Sequence, residues 1–516
     1  MKKSIIITII SCVAWMGNSW AQSANDAMLF SQHYSGGTAR SAGMSGAFGA
    51  LGGDLSVLNA NPAGLAVFRG TEFTITPAMS FTNTRAEHYG RAFDEKKNTL
   101  VFNNIGYVYT LNRYNEKGLQ SINFGIAYNR LNDFNSNAYV KRSEAKTSLL
   151  DEFVYYAYDD DWNPLPEGQL HPFYERLAFE TNAIFKDNNG LYFSDYDDFG
   201  YGQTLSRSMK TRGGIGEYSF SFGANINHKL FLGATFGIQD IYYKEYYLHE
   251  EVPKEVPNFP IMRSFQFSDE YTVNGWGVNF KAGVIYRPIQ MLRFGAAIHT
   301  PTHFWMSPYQ LTRMDTYWNT SPVDVDKEGA KFDWLPGGIK HYWDDIESDP
   351  TEKYRISTPW RYSLSAATVI GNFAIADVDL EIVDFSTSYI RPSDIYDIEN
   401  EDIVDILKTT VNLKGGAEFR LGPVYLRGGV AFYGNPYNKN EFAADIKDTF
   451  KATMSYSGGI GFRNRDFYMD AAYSFMKHPE RINNMYLSYN LPDNGYEQAT
   501  LQTKTGKFIL TFGFKF

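Results

Sequence analysis

The chain has 516 residues and a formal net charge of −10 at pH 7, which excludes the basic surface that nucleic-acid binding requires. It contains 37 Tyr, 39 Phe and 44 Gly, yet its mean hydropathy is only −0.36. Beyond the first residues no stretch approaches the roughly 20 apolar residues of a membrane helix. Aromatic and glycine-rich chains of this kind are typical of transmembrane β-barrels. A secreted, β-rich soluble protein is the alternative.

The first element in chain order is a secretory signal peptide over residues 1–21. Two lysines precede an apolar run over 5–10, and the small residues Ser19 and Ala21 form a cleavage site. A lipoprotein signal ending at Cys12 is an alternative, but it would leave an unusually short leader. Cleavage after Ala21 removes the only cysteine. We therefore expect an exported protein without disulfides or thiol chemistry.

Residues 22–70 do not have the alternating pattern of barrel strands. A glycine stands at every third position from Gly43 to Gly52, among alanines and serines. A turn then follows, made by Asn61, Pro62, Ala63 and Gly64. Glycine permits close backbone packing and proline presets φ, so a compact plug inside the barrel is predicted. A glycine-rich leader lying loosely in the periplasm is the alternative.

Residues 71–516 contain fourteen segments with the period-two alternation of strands. Long and short connections alternate between them, as in outer-membrane barrels, and an even number puts both chain ends in the periplasm. We therefore predict an all-β fold, a transmembrane antiparallel β-barrel of about 14 strands with long extracellular loops. The predicted strands are 72–81, 99–111, 119–131, 217–226, 230–242, 275–286, 292–300, 355–369, 373–382, 411–421, 424–432, 452–462, 467–475 and 507–516.

The alternation also assigns the two faces of each strand. In 411–421, for example, Leu413 and Phe419 alternate with Asn412 and Glu418. We expect the apolar set to face lipid and the polar set to line the lumen.

The last strand carries the most informative pattern. Phe512, Phe514 and the terminal Phe516 continue an apolar ribbon on one face. An exposed ribbon of this kind invites aggregation in water but suits the lipid face of a closed barrel. The segment resembles the C-terminal strand that barrel assembly machinery recognises. We therefore expect location in a Gram-negative outer membrane, with its lipids and that machinery as partners.

The run from Ala42 to Ala66 resembles the N-terminal hatch of the outer-membrane long-chain fatty-acid and hydrophobic-compound transporter family (FadL/TodX-like). The resemblance implies a fourteen-stranded barrel whose hatch turn contains Asn61, Pro62 and Ala63. It also implies a mechanism, in which outer loops capture a hydrophobic small molecule or fatty acid, the hatch moves, and the substrate leaves sideways through the wall.

The same resemblance places the lateral opening at a kink in the third strand. Asn129, Asn132 and Asp133 end the third predicted strand and are poor strand formers that would weaken its pairing. The alternative is that a strand merely becomes a loop here.

Other functions have less support in the sequence. It lacks a Gly-x-Ser-x-Gly elbow and a His-Glu-x-x-His motif, so we assign no catalytic residue, no cofactor and no enzyme activity. Aromatic and acidic loops such as 153–162 raise the possibility of calcium, but no Asp-x-Asp-x-Asp-Gly loop occurs and no metal ligand is assigned. Related barrels serve as protein-binding shuttles in type IX secretion, which is the alternative function. A general porin is disfavoured by the hatch.

Overall fold

The computed structural model describes residues 24–34, 36–113, 117–254, 262–319, 331–336, 339–348, 353–438, 452–491 and 495–516. Fourteen antiparallel strands form one closed barrel, because β1 pairs with β2 along one edge and with β14 along the other. Closure thus pairs the first strand with the last.

Three of the strands are built from two consecutive pieces. In chain order the strands are β1 Glu72–His88, β2 Arg91–Asn112, β3 Leu119–Asp133 with Ser136–Arg142, β4 Thr204–Ile226, β5 Leu230–Val252, β6 Met262–Tyr286, β7 Leu292–His299 with His303–Trp318, β8 Tyr354–Ser357 with Arg361–Ile370, β9 Ala374–Asp384, β10 Thr409–Leu421, β11 Val424–Tyr433, β12 Thr453–Arg463, β13 Phe467–Leu487 and β14 Tyr496–Lys515.

The predicted fold class and all fourteen predicted strands are confirmed, but several strands are much longer than expected. The predicted long loop 82–98 is a hairpin, since β1 ends at His88 and β2 begins at Arg91. Likewise, β5 and β6 extend far into the predicted loop 243–274. The extensions of β1 and β2 carry mostly polar side chains on both faces, whereas that of β6 points its apolar residues, such as Phe265 and Phe267, inward. Both patterns lack the outward apolar face that marks a strand in lipid.

Outward aromatic residues mark where the wall meets the membrane. Trp276 on β6 and Trp305 on β7 stack with ring centroids 4.5 Å apart, and both are exposed. Tyr286 lies ten positions further along β6, also outward. Ten tilted residues span about 25 Å, the height of the apolar band of such barrels. The part of β6 before Trp276 therefore projects beyond the membrane.

The predicted assignment of faces is also confirmed. Leu413 and Phe419 are 48% and 54% exposed, whereas Glu418, which lies on the opposite, lumen-facing side of the same strand, is fully buried. On β14, Phe508 and Phe514 are exposed and Thr511 is buried. The outer surface is thus apolar and the inner surface polar.

Residues 24–34 and 36–68, called here the N-terminal segment, lie against the inner wall. Their backbone amides bond to inward side chains of distant strands: Ala39 N donates to Thr511 Oγ1 (2.7 Å), and Ser45 N donates to Ser457 Oγ (2.9 Å). The segment contains short helices rather than strands. These are α1 Ala24–Ser31, α2 Ala39–Ala42, α3 Val57–Ala60 and a 3₁₀ helix Pro62–Val67.

Residues 143–203, called here the cap, fold into a small helical unit between β3 and β4. Leu150 and Phe153 of the cap share one buried cluster with Phe265, Phe267 and Trp318 of the projecting strands. The sequence indicated only an aromatic, acidic loop. The cap helices are α4 Leu149–Tyr156, α5 Glu175–Glu180 and α6 Asp195–Phe199, and α7 Asp397–Ile406 lies between β9 and β10. Among the described helices, none is both long and apolar enough to cross a membrane.

Candidate functional site

The turn predicted at Asn61 connects the 3₁₀ helix that follows it, the glycine-rich run before it and strand β6. The Asn61 side chain accepts a hydrogen bond from Ala63 N (3.1 Å) and donates to Gly49 O (2.8 Å) and to Val284 O on β6 (3.3 Å). Pro62 occupies the first position of the 3₁₀ helix, where its missing N–H is not needed. Gly64 lies so close to Val57 that a Cβ would be 2.8 Å from the valine Cβ.

Glycines of the wall make room for this turn. Gly233 on β5 and Gly283 on β6 are directly opposed in register. A Cβ on Gly283 would lie 2.0 Å from Asn61 Oδ1, and one on Gly233 would lie 2.2 Å from the Pro62 carbonyl carbon. Neither residue was predicted from the sequence. The available signal was the pair of inward glycines at matching depth in neighbouring predicted strands.

Carboxylates of β9 hold the glycine-rich part of the N-terminal segment. Asp379 Oδ2 accepts a hydrogen bond from Phe48 N (2.9 Å), and both its oxygens accept from Gly49 N (3.1 Å). A Cβ on Gly49 would lie 2.0 Å from Ser365 Oγ. A glycine is therefore required at position 49 for the backbone to lie this close to Ser365, which explains one member of the glycine repeat.

A buried network of ion pairs holds the segment from the other side. Arg40 Nε lies 2.9 Å from Glu418 Oε2 on β10, and the same oxygen lies 2.7 Å from Arg427 Nε on β11. Arg427 also contacts Asp470 on β13 at 2.7 Å. Loss of Arg40 would leave the wall charges with fewer partners, and unpaired buried charges are costly.

The hydrogen-bonded wall is interrupted between β2 and β3. Their ladder runs from Asn112 paired with Ser121 to Asn104 paired with Asn129, and it ends there. Beyond this point β2 pairs only with β1, and β3 pairs only with β4. A bulge at Leu131 bends β3 just above the last pair.

The three residues predicted at the lateral opening all lie at this interruption. Asn129 Oδ1 accepts a hydrogen bond from Asn104 Nδ2 (2.7 Å) in the last pair of the ladder. Asn132 Nδ2 donates to Gln32 O of the N-terminal segment (2.9 Å). Asp133 Oδ2 lies 3.6 Å from Lys507 Nζ on β14. Polar groups thus surround the gap.

A cavity of about 1360 Å³ lies next to the interruption. Its lining comes from β3 around the bulge, from α1 and the residues after it, and from inward side chains of the projecting parts of β4, β5 and β6. Residues of α7, β12, β13 and β14 complete it, among them Arg481 and Lys507. The cavity is lined by apolar groups such as Met28, Leu29 and Phe134 together with charged groups such as Arg207 and Glu245. It is large enough for an extended amphiphile.

Buried carboxyl groups join the cap to the wall. Glu152 of α4 accepts a hydrogen bond from Leu487 N at the end of β13, and Asp151 accepts one from the Ser488 hydroxyl. Loss of hydration raises the pKa of each of these two carboxyls to about 7. Burial likewise raises the pKa of Glu175 in α5 to about 8.

Acidic residues of the cap act as turn acceptors. Asp159 Oδ1 accepts a hydrogen bond from Asn163 N (2.7 Å), and Asp187 Oδ1 accepts one from Leu191 N (2.8 Å). Within the ranges that the structure describes, no three His, Cys, Asp or Glu side chains are grouped as a metal site.

The architecture defines an outer-membrane-type barrel with a segment folded inside it. No family model and no curated protein matched the chain. Its structure is similar to a Pseudomonas aeruginosa FadL homologue (TM-score 0.52, 13% identity, 94% of this chain and 100% of that one). It is also similar to the Pseudomonas putida toluene transporter TodX (TM-score 0.49, 12% identity, 93% and 99%) and the Ralstonia pickettii toluene transporter TbuX (0.46, 12%, 93% and 98%). The fold is therefore FadL-like.

Proposed function

We propose that the protein is an outer-membrane channel for hydrophobic molecules, such as long-chain fatty acids, that releases them sideways into the membrane. The observation that carries this proposal is the interrupted β2–β3 ladder beside the 1360 Å³ cavity. The transport of toluene named for TodX and TbuX and the likeness to a FadL homologue agree with it.

The N-terminal segment is the hatch in this proposal. Its α1 lines the cavity, whereas Asn61 and Pro62 pack against Gly233 and Gly283 toward the periplasmic turns. It therefore separates the cavity from the periplasm. The turn of Asn61, Pro62, Ala63 and Gly64 serves as the pivot, because its contacts are hydrogen bonds and van der Waals contacts that can break singly.

The gap between β2 and β3 is the exit. Asn132 bonds to the N-terminal segment while Asn129 ends the ladder, so a shift of the segment is coupled directly to the bulged strand. A substrate that leaves here avoids crossing the periplasm-facing hatch.

A cross-link across the gap tests this exit. The mature chain has no cysteine if the leader is removed, so the pair Val101→Cys and Asn132→Cys can be joined selectively by a short bifunctional thiol reagent. Continuing the β2–β3 register beyond Asn104 would bring these positions opposite each other. We expect the cross-linked protein to bind oleate or toluene but to lose most of its uptake in cells.

The matched control joins Ala366→Cys to Val378→Cys, a directly opposed pair on the intact β8–β9 ladder. Uptake should survive this cross-link. Unchanged uptake with the β2–β3 cross-link would contradict lateral release, and absence of uptake of either compound by the unmodified protein would favour the secretion shuttle.

A further inference from the structure

The projecting parts of β4, β5 and β6 present a distinctive surface to the cavity. Tyr243, Glu245 and Tyr247 face inward on β5, and Tyr271 and Asp269 stand opposite Glu245 and Tyr247 on β6. Asp26 of α1 joins them, because Tyr271 Oη donates to Asp26 Oδ2 (3.4 Å). These six residues are called here the tyrosine–acid wall.

The three carboxylates of this wall have no cationic partner within the described part of the chain. No Lys or Arg nitrogen there lies within 4.0 Å of Asp26, Glu245 or Asp269, and the hydrogen bonds that these carboxyls accept come from neutral donors. Tyr243 Oη donates to Glu245 at 2.6 Å, and Gln310 Nε2 donates to Asp269 at 3.1 Å. Burial and then the like charge of Glu245 raise the pKa of Asp26. The raised pKa favours the protonated form of Asp26, so a cation bound beside it would stabilise the carboxylate form.

A cation with an unused donor stands at the edge of the same wall. Arg207 on β4 is 5% exposed, and its guanidinium lies 4.2 Å from the centroid of the Tyr247 ring. Its Nη1 donates to Met485 O, whereas its Nε has no hydrogen-bond partner in the described structure. Arg207 pairs with His249 and Asp269 pairs with Tyr247, so the two residues flank β5 two strand spacings apart and two residues out of register, about 12 Å at the backbone.

Given the transport function proposed above, we infer that the amphiphile bound in this cavity carries a zwitterionic head group. Its ammonium group lies on the tyrosine–acid wall, where carboxylates and aromatic faces both attract a cation. Its anionic group accepts a hydrogen bond from Arg207 Nε. The apolar tail lies along Met28, Leu29 and Phe134 toward the gap.

A simple carboxylate fits the same cavity less well. Beside the tyrosine–acid wall it would gain one contact with Arg207 but face the acids Asp26, Glu245 and Asp269. The other cations of the cavity lie on β3, β13 and β14, outside this wall, and are Arg130, Arg481 and Lys507. A simple amine would bind to the tyrosine–acid wall but would be repelled by Arg207. Only a head group that carries both charges pairs with both the tyrosine–acid wall and Arg207.

Isothermal titration of the full mature protein in lipid nanodiscs with three octyl compounds tests the inference. The compounds are octanoate, octylammonium and octyl phosphoethanolamine, which share one tail and differ in the head. We expect octyl phosphoethanolamine to bind at least tenfold more tightly than either singly charged compound. Equal or tighter binding of octanoate or of octylammonium would overturn the inference and leave the transport proposal intact.

Variants assign the two charges. Glu245→Gln with Asp269→Asn should weaken octyl phosphoethanolamine binding at least tenfold without weakening octanoate, and Arg207→Gln should reduce it to the level of octylammonium. Asp402→Asn, which changes another cavity carboxylate outside the wall, is the matched control and should change nothing. Unaltered binding in the double variant would overturn the assignment. If a variant fails to fold, the three-compound series on the unmodified protein still tests whether the head group is zwitterionic. No binding of any octyl compound would instead count against the proposed capture of amphiphiles.

Discussion

At the scale of single residues, the glycines facing the hatch turn carry the clearest consequence. Gly283→Ala would put a Cβ 2.0 Å from Asn61 Oδ1, so the turn must move away from the wall. We expect weaker hatch seating, seen as raised ion conductance in planar bilayers and lower uptake of apolar substrate. The thermal unfolding temperature should fall too, since Asn61 would lose buried hydrogen bonds of roughly 1 kcal/mol each.

Gly415→Ala is the matched control, because a Cβ on Gly415 meets nothing within 4 Å. It should behave like the unmodified protein. Identical conductance and uptake for the two variants would show that close packing at Gly283 does not matter for the hatch.

The sequence predicted some of these residues and not others. Asn61, Pro62 and Gly64 were identified through a motif, and the structure brings them together in one turn. Glu418 was predicted only as a lumen-facing position, and Asp379 was not singled out. Their partners lie more than 300 residues away along the chain. A period-two pattern gives a side chain's face but not what it touches across the lumen.

At the scale of elements, the cap is expected to respond to pH. The folded cap holds Glu152 and Glu175 at pKa values of about 7 and 8, above the 4.5 of a free glutamate. Between those values the folded cap binds more protons than the unfolded cap, so its stability falls as pH rises from about 5 to 8. Amide exchange of α4 and α5 should therefore be faster at pH 8 than at pH 5, after correction for intrinsic rates.

The double variant Glu152→Gln with Glu175→Gln should reduce this pH dependence, because neither side chain titrates, and the raised pKa of Asp151 accounts for what remains. The variant Glu401→Gln, an exposed acid on α7 outside the cap, is the control. A cap whose protection is the same at both pH values would contradict the assignment of raised pKa values.

The C-terminal strand governs insertion in our account. Phe512→Asp with Phe514→Asp places charges on the lipid face of β14, next to the terminal Phe516, at a cost of up to a few kcal/mol each. We expect little heat-modifiable, folded barrel in outer-membrane fractions. Asn98→Asp, on the exposed part of β2, should insert normally. Wild-type amounts of folded double variant would contradict the assembly role.

The strands in lipid could be predicted because one face is apolar and the other polar. The same rule fails above the membrane, where β1 and β2 continue to the tight turn at Tyr89 and Gly90 with polar residues on both faces. It also fails for the cap, whose core depends on contacts between helices and distant strands. The β3 bulge was predictable only as weak strand propensity at Asn129, Asn132 and Asp133.

At the scale of the whole molecule, the N-terminal segment lies inside the lumen of the barrel. The inner surface carries Glu418, Arg427, Asp379 and other charged groups that the N-terminal segment covers. Such a lumen is polar, and water would enter it if the segment were absent. The proposed channel therefore depends on one segment both for closure and for coupling capture to release.

Deletion of residues 22–68 tests this central claim most directly. The strands begin at Glu72, so the truncated barrel should still insert. Single-channel recording should show a conductance well above that of the intact protein, and uptake of oleate should fall in the same variant. An inserted barrel with unchanged conductance would contradict the account, because the N-terminal segment would then not be what closes the lumen.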